Sequence, residues 1–337
     1  MPITAKAYAR AGFLGNPSDG YFGKTISITV GNFSAQVSLE QTDRIRFEAS
    51  EHEPSSYESI EALASQIGRY GYYGIERLLK AAIKKFKDYC AANGIMLERK
   101  NFSMRAQSFI PRQVGLGGSS AIVTATLRCL MEFYDVAIPL EVLPSLTLEA
   151  EKRELGINAG LQDRVIQAYG GCFYMNFNRD LIEKNNRGNY ERLDPKLLPP
   201  LFLAYKEGLG KVSGAALNPV TVGYERGDRT VLDCLGRLAE IAEEGKQALL
   251  DRDFDLLFDL MNENFKQRSK IMPISEGNLE MIETARKLGA SAKFAGSGGS
   301  IIGMYTDEDM FRKLVEAFAA IEAKVTKPVV VQEITQI

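Results

Sequence analysis

A chain of 337 residues that is 45% hydrophobic and 25% charged has room for two cores and the composition of ordinary globular protein. Its formal net charge of −2 gives no broad basic face, which argues against nucleic acid or an anionic membrane as a partner. The apolar runs are too short to span a bilayer and the opening "MPITAKAYARAGFLG" lacks a signal peptide's apolar core, so a cytoplasmic protein is expected.

In chain order, the first region reads as β-rich. "KTISITV" (24–30), "SAQVSL" (34–39) and "RIRFEAS" (44–50) alternate with period two between glycine or polar turns. A polar, proline-containing stretch with the one histidine, His52, reads as a loop. Two amphipathic helices broken near Gly71 are expected over 59–95, then an alternating strand over 98–111. Helices follow at 119–134, 140–155 and 160–169, and a strand at 170–177. The segment 179–198 is polar and reads as irregular, and "PPLFLAYKE" opens a second part. From Arg229 onward the order is long helices, strand, glycine turn, strand, helix and a last strand "KPVVVQEI", which predicts a small α+β sandwich.

The residue inventory restricts the chemistry. With one histidine, and that in a loop, Ser-His-Asp and Cys-His hydrolases and histidine-ligated metal centres are improbable. Cys90, Cys129, Cys172 and Cys234 are scattered without a CxxC pair, so reduced buried thiols are expected. Carboxylates, arginines, lysines, hydroxyls and backbone remain, which is what phosphoryl transfer with Mg²⁺ requires.

The stretch "IPRQVGLGGSSAIV" is neither a P-loop nor a dinucleotide fingerprint. Gly118 is followed by Ser119 where a P-loop needs lysine, and Ser120 stands where the fingerprint needs its third glycine. "GKT" at 23–25 fails as well, because Ser18 occupies the first glycine position of a P-loop. Gly115, Gly117 and Gly118 still permit positive φ and close backbone approach, and the following helix offers unpaired N–H groups and a positive dipole end. A phosphate suits that place; a plain strand-to-helix turn is the alternative.

Three glycine-bearing stretches in fixed order, "RAGFLGNPSDGYFGK" (10–24), "PRQVGLGGSSA" (111–121) and "KFAGSGGSIIG" (293–303), resemble the signature motifs of the GHMP small-molecule kinases. Between the second and third, "AEKRELGINAGLQDRVIQAYGG" looks like that superfamily's catalytic-aspartate helix and its lead-in. The same stretches are similar to plant-type glucuronokinases, sugar-1-kinases that phosphorylate D-glucuronate. The resemblance covers nearly the whole chain. It implies an α+β GHMP kinase fold: an N-terminal domain like ribosomal protein S5 domain 2 over 1–198, a ferredoxin-like C-terminal domain over 199–337, and an active site between them.

It also implies roles. Gly115, Leu116, Gly117, Gly118, Ser119, Ser120 and Ala121 would wrap the ATP phosphates, and Gly296, Ser297, Gly298 and Gly299 would approach the nucleotide and that loop. Mg²⁺ would take Glu151 and one serine. Ser119 is preferred to Ser120, the register being ambiguous because of an extra glycine, and either hydroxyl would serve equally as an ordinary helix cap. Asp163 matches the catalytic aspartate, and Arg10 the basic residue beside it. Asp19 falls where galactokinase-like members bind a sugar hydroxyl. Lys24 and, less favourably, Arg164 are candidates for a substrate carboxylate; Lys211 in "GKVSG" is a further candidate for the phosphate or substrate side. The expected ligands are thus ATP, Mg²⁺ and a sugar or uronic acid, on a monomer or homodimer. Another sugar kinase (galactose, arabinose or heptose phosphate), a non-catalytic sugar- and ATP-binding regulator, and a nucleotide-coupled decarboxylase stay open.

Overall fold

The structure, a computed structural model, describes residues 2–48, 74–209 and 213–332, with backbone alone for 213–217. His52, Lys211, the first of the two helices expected over 59–95 and the end of the last expected strand lie outside the described residues.

The first sheet is built around β1 (Ile3–Leu14) and β2 (Lys24–Thr42), paired antiparallel from Ile3↔Leu39 to Leu14↔Ile26. β2 joins the two strands expected at 24–30 and 34–39 into one, with a register shift opposite Tyr8 and Ala9. Its second half pairs with β4 (Asn101–Ser108) and its first half with β5 (Cys172–Asn176). Two short strands complete the sheet: β3 (Arg46–Phe47) beside β4 and β6 (Asn189–Leu193) beside β5.

β1 is not evident in the sequence. Ala5, Ala7, Ala9 and Ala11 occupy its inner positions, each at most 1% exposed, and alanine is depleted in strands. Its use is steric, because a row of methyl groups lets the helix Gly118–Tyr134 pack closely on the sheet. The segment 179–198 is more ordered than expected. It holds a helix at Arg179–Asn185, capped by Asn178, and the edge strand β6, whose polar exposed residues carry no alternation to read. The helix Ser213–Glu225, with Pro219 inside it, is likewise unanticipated.

The second sheet is antiparallel in the order β10 (Lys324–Thr326), β7 (Leu201–Tyr205), β9 (Ser300–Met304), β8 (Lys293–Phe294). With the helices Glu276–Lys287 and Glu308–Ala320 packed on it around Phe202, Ile282, Leu314 and Phe318, this is the ferredoxin-like arrangement. The last strand forms at 324–326, ahead of "KPVVVQEI", and the chain then returns to the first sheet. Gly31 N–H donates to Val329 O at 2.7 Å and Gly171 N–H to Val331 O at 2.7 Å. The division near residue 198 therefore separates the two sheets, while the described end of the chain packs with the first.

Candidate active site

Where the two sheets meet, β1 delivers Arg10 into a cavity between the glycine loops. Arg10 is 6% exposed and donates from all three side-chain nitrogens: Nε to Asp163 Oδ1 at 2.5 Å, Nη2 to Asp163 Oδ2 at 2.6 Å, and Nη1 to Gly115 O at 2.6 Å and Ala295 O at 3.5 Å. One guanidinium thus joins the first strand, the second glycine loop, the third glycine loop and the helix Gln162–Tyr169 that carries Asp163 in its first turn. Burial pushes the Asp163 carboxyl up, but the positive charges of Arg10 and Arg164 outweigh it and hold the group below the usual carboxylate range.

The loops interlock through backbone. Gly115 and Gly117 have φ of 70° and 76°, and the helix begins at Gly118, so its first turn stands at the cavity that Gly115 to Ser120 line. A Cβ on Gly296 would stand 1.8 Å from Gly115 O, and one on Gly115 would stand 2.7 Å from Gly298 O. Ser120, 1% exposed, donates its hydroxyl to Gly117 O at 3.1 Å, a helix-start use, while the neighbouring Ser119 is only half-buried and faces the same cavity.

Asp19 enters from the turn after β1. Ser27 Oγ donates to Gln162 Oε1 at 2.9 Å, which turns the amide so that Gln162 Nε2 donates to Asp19 Oδ1 at 2.8 Å, and Gln162 N–H donates to Oδ2 at 3.2 Å. Gly160 makes the room, since a Cβ there would lie 1.9 Å from Asp19 Oδ2. Glu151 sits on a single wide turn, Ala150–Glu154, that ends the helix expected over 140–155; at 1% exposed it is paired with Arg164, whose Nε and Nη2 both donate to Oε2, the former at 2.8 Å. Arg164 Nη1 also lies 3.5 Å from Asp163 Oδ2 and donates to Gly160 O at 3.0 Å, so a row of alternating charge runs Glu151, Arg164, Asp163, Arg10.

This constellation has counterparts. The pattern described as GHMP kinases N terminal domain matches residues 77–171 and that of GHMP kinases C terminal matches 246–322. A probable glucuronokinase 2 of Arabidopsis thaliana is 44% identical over 331 residues, 96% of this chain and 90% of the relative. Glucuronokinase 1 of the same plant is 44% identical over 306 residues, 89% of this chain and 84% of the relative. The chain belongs to the GHMP kinase family. A crystal structure of a Listeria innocua protein, 18% identical, superposes with a TM-score of 0.80 over 98% of both chains, a likeness of fold. GHMP kinases take ATP as phosphoryl donor; the loop at 115–120 offers glycines and a helix start, features that suit an anion.

Not every expected residue reaches the cavity. Lys24 does not line it: the side chain leaves the start of β2 and its ammonium pairs with Glu243 on the helix Arg229–Asp251. Arg164, expected to turn away because neighbouring helical residues diverge by about 100°, is long enough to fold back to Glu151 and does line it. Gly296 and Ser297 line it also, whereas Gly298 and Gly299 shape the turn behind, Gly299 N–H donating to Asn278 Oδ1 at 2.8 Å. Sequence reasoning missed Gln162 and Arg268. Arg268, 2% exposed, lines the cavity from the helix Phe254–Ile271. It occupies the stripe Leu257, Met261, Asn264, Arg268, Ile271, a place where a helix normally buries an apolar side chain. That mismatch was the available signal.

Asp19 gives a pH prediction for this GHMP kinase. Burial, followed by the nearby charge of Asp163, pushes its carboxyl from 3.8 up to about 7. Between those values the folded protein holds a proton that the unfolded chain has released, so this group's contribution to stability declines as pH rises toward 7. Asp19→Asn removes that loss. Its melting temperature should exceed that of the wild type at about pH 8 and by much less at about pH 5; thermal unfolding at both pH values checks it, and an equal difference at the two would show Asp19 ionised throughout.

Proposed function

We propose that this GHMP kinase transfers the γ-phosphoryl group of ATP to the anomeric hydroxyl of D-glucuronate, giving ADP and D-glucuronate 1-phosphate. The observation that carries the substrate choice is 44% identity to two glucuronokinases over 96% and 89% of the chain. The site supports the chemistry. The phosphates would rest on the loop and helix start at 115–120, with the sugar held by Asp19 and Gln162. The anomeric O–H would donate to Asp163 and be aimed at the γ-phosphorus. As the new O–P bond forms, the bond from the γ-phosphorus to the β,γ-bridging oxygen breaks and the hydroxyl proton passes to Asp163. A carboxylate held below its ordinary range by Arg10 is a weak base, so its main work is orientation and late acceptance of the proton, which suits a loose phosphoryl-transfer transition state.

The oxygen donors present fit Mg²⁺, a hard cation that usually takes one or two protein oxygens besides phosphate and water. Ser119 and Glu151 would hold it: both line the cavity, Ser119 is the more exposed of the two serines, and both bonds from Arg164 fall on one oxygen of Glu151. When bound, the metal would neutralise phosphate charge. Four free, buried cysteines accord with a reducing, cytoplasmic setting, and among the described residues no helix is long and apolar enough to cross a membrane.

The test is ADP release measured over free sugars and uronic acids at several Mg²⁺ concentrations. Glucuronate should give the highest kcat/KM, and a better galactose, arabinose or heptose phosphate would replace the substrate assignment. In the same assay Ser119→Ala should raise the Mg²⁺ needed for half-maximal rate well above the requirement of Ser120→Ala; the reverse ranking would move the metal to Ser120.

A further inference from the structure

Three cations lie close to the first motif, two of them, Arg10 and Arg268, lining the cavity; Arg10 and Lys293 are satisfied. Arg10 is neutralised by Asp163. Lys293, fully buried, donates to Gly12 O at 2.7 Å, Asn16 Oδ1 at 2.5 Å and Phe294 O at 3.0 Å. Arg268 differs: its Nε and Nη1 are buried without a hydrogen-bond partner, and its guanidinium rests 5.0 Å from the centre of the Phe294 ring. Burial lowers its pKa to about 10, Arg10 adds to this, and Asp19 is the acid whose charge opposes it. A buried guanidinium with unused N–H groups is costly in the empty protein and becomes favourable once an anion arrives.

Two anions enter this cavity in the proposed reaction, a nucleotide phosphate and a sugar carboxylate. The glycine loop and helix start at 115–120 offer donors for the phosphates. Arg268 shares the cavity wall with Asn16, Pro17 and Asp19, the first-motif residues where the sugar is held in the proposed reaction. We propose that Arg268 receives the carboxylate of the uronic acid substrate and sets its preference over neutral sugars. This rests on the glucuronate reading, and it gives Arg268 the part expected of Lys24, whose ammonium is paired elsewhere.

The experiment compares D-glucuronate with D-glucuronamide, in which the carboxylate is replaced by a neutral group of the same shape. Wild type should favour glucuronate in kcat/KM by roughly 10²-fold or more, the scale of a lost partner in a buried charge pair. Arg268→Met and Arg268→Gln should bring the two substrates within about 10-fold by losing glucuronate alone, with KM for ATP nearly unchanged, and Arg268→Lys should recover part of the preference. Thermal unfolding without ligands separates a structural role, because removing an unsatisfied buried charge should leave the midpoint unchanged or raise it. A preserved glucuronate preference in Arg268→Met, a rise in KM for ATP in place of glucuronate, or equal loss on both sugars with a lowered midpoint overturns the assignment. Equal use of both sugars by the wild type instead removes the glucuronate reading itself, and this assignment with it.

Discussion

Asp163→Asn should lower kcat by roughly 10²- to 10⁴-fold while ATP binding stays close to wild type. The expected size follows from what the side chain loses. An amide has nearly the shape of a carboxylate, so the helix Gln162–Tyr169 and the cavity wall are retained. It has no negative charge to orient the sugar hydroxyl or to accept its proton, and one side of the amide presents N–H groups to the donors of Arg10. Arg10 now contributes two bonds to Asp163, at 2.5 and 2.6 Å, and one of them would be replaced by opposed donors. The Gly115 bond of Arg10 does not involve Asp163, and for this reason the phosphate loop and KM for ATP should be spared. Single-turnover rates with nucleotide binding measured alongside would decide it, and near-normal turnover would remove Asp163 from the chemistry.

Arg10 and Asp163 stood out in the sequence only through the resemblance of their motifs to those of the GHMP kinases; taken alone, each reads as an ordinary surface charge. The glycine loops were legible for a physical reason: positive φ at Gly115 and Gly117 and the 1.8 Å approach beneath Gly296 admit no other residue without strain. What escaped was fixed by tertiary contact. β1 is written in alanines, which indicate a strand only once the helix packed on them is seen. Lys24 and Arg268 are both cations near the first motif in space, and the sequence pointed to the one adjacent in the chain. Only the fold shows that Lys24 meets Glu243, while Arg268, well over two hundred positions further on, is buried against the cavity. The row of charges through Glu151 and Arg164 escaped in the same way, since a helical wheel gives the direction of Cβ and says little about where a long side chain ends.

Gly296→Ala adds one methyl group and should be among the most damaging small changes. The new Cβ would lie 1.8 Å from Gly115 O and 2.9 Å from Arg10 Nη1, so some group must move. Gly115 cannot simply retreat, because the space beside it is closed, a Cβ there lying 2.8 Å from Ser297 N and 2.7 Å from Gly298 O, and its carbonyl receives the 2.6 Å bond from Arg10. Displacing that carbonyl draws the Arg10 guanidinium off Asp163, which ties a packing fault to the reacting groups. The expected loss of stability is about 1–3 kcal/mol, the usual range for overpacking, and kcat/KM for ATP should fall by at least roughly 10-fold, because a phosphate loop displaced by even about 1 Å loses much of its effect. Gly236→Ala provides the control. Gly236 lies within the helix Arg229–Asp251 with open space where its Cβ would go, so the same added methyl should raise stability by up to about 1 kcal/mol through helix propensity and leave turnover unchanged. Thermal unfolding and ATP kinetics on the two variants side by side check the argument: if Gly296→Ala behaved like Gly236→Ala, the two glycine loops would have to be far more yielding than their interlocked backbones allow.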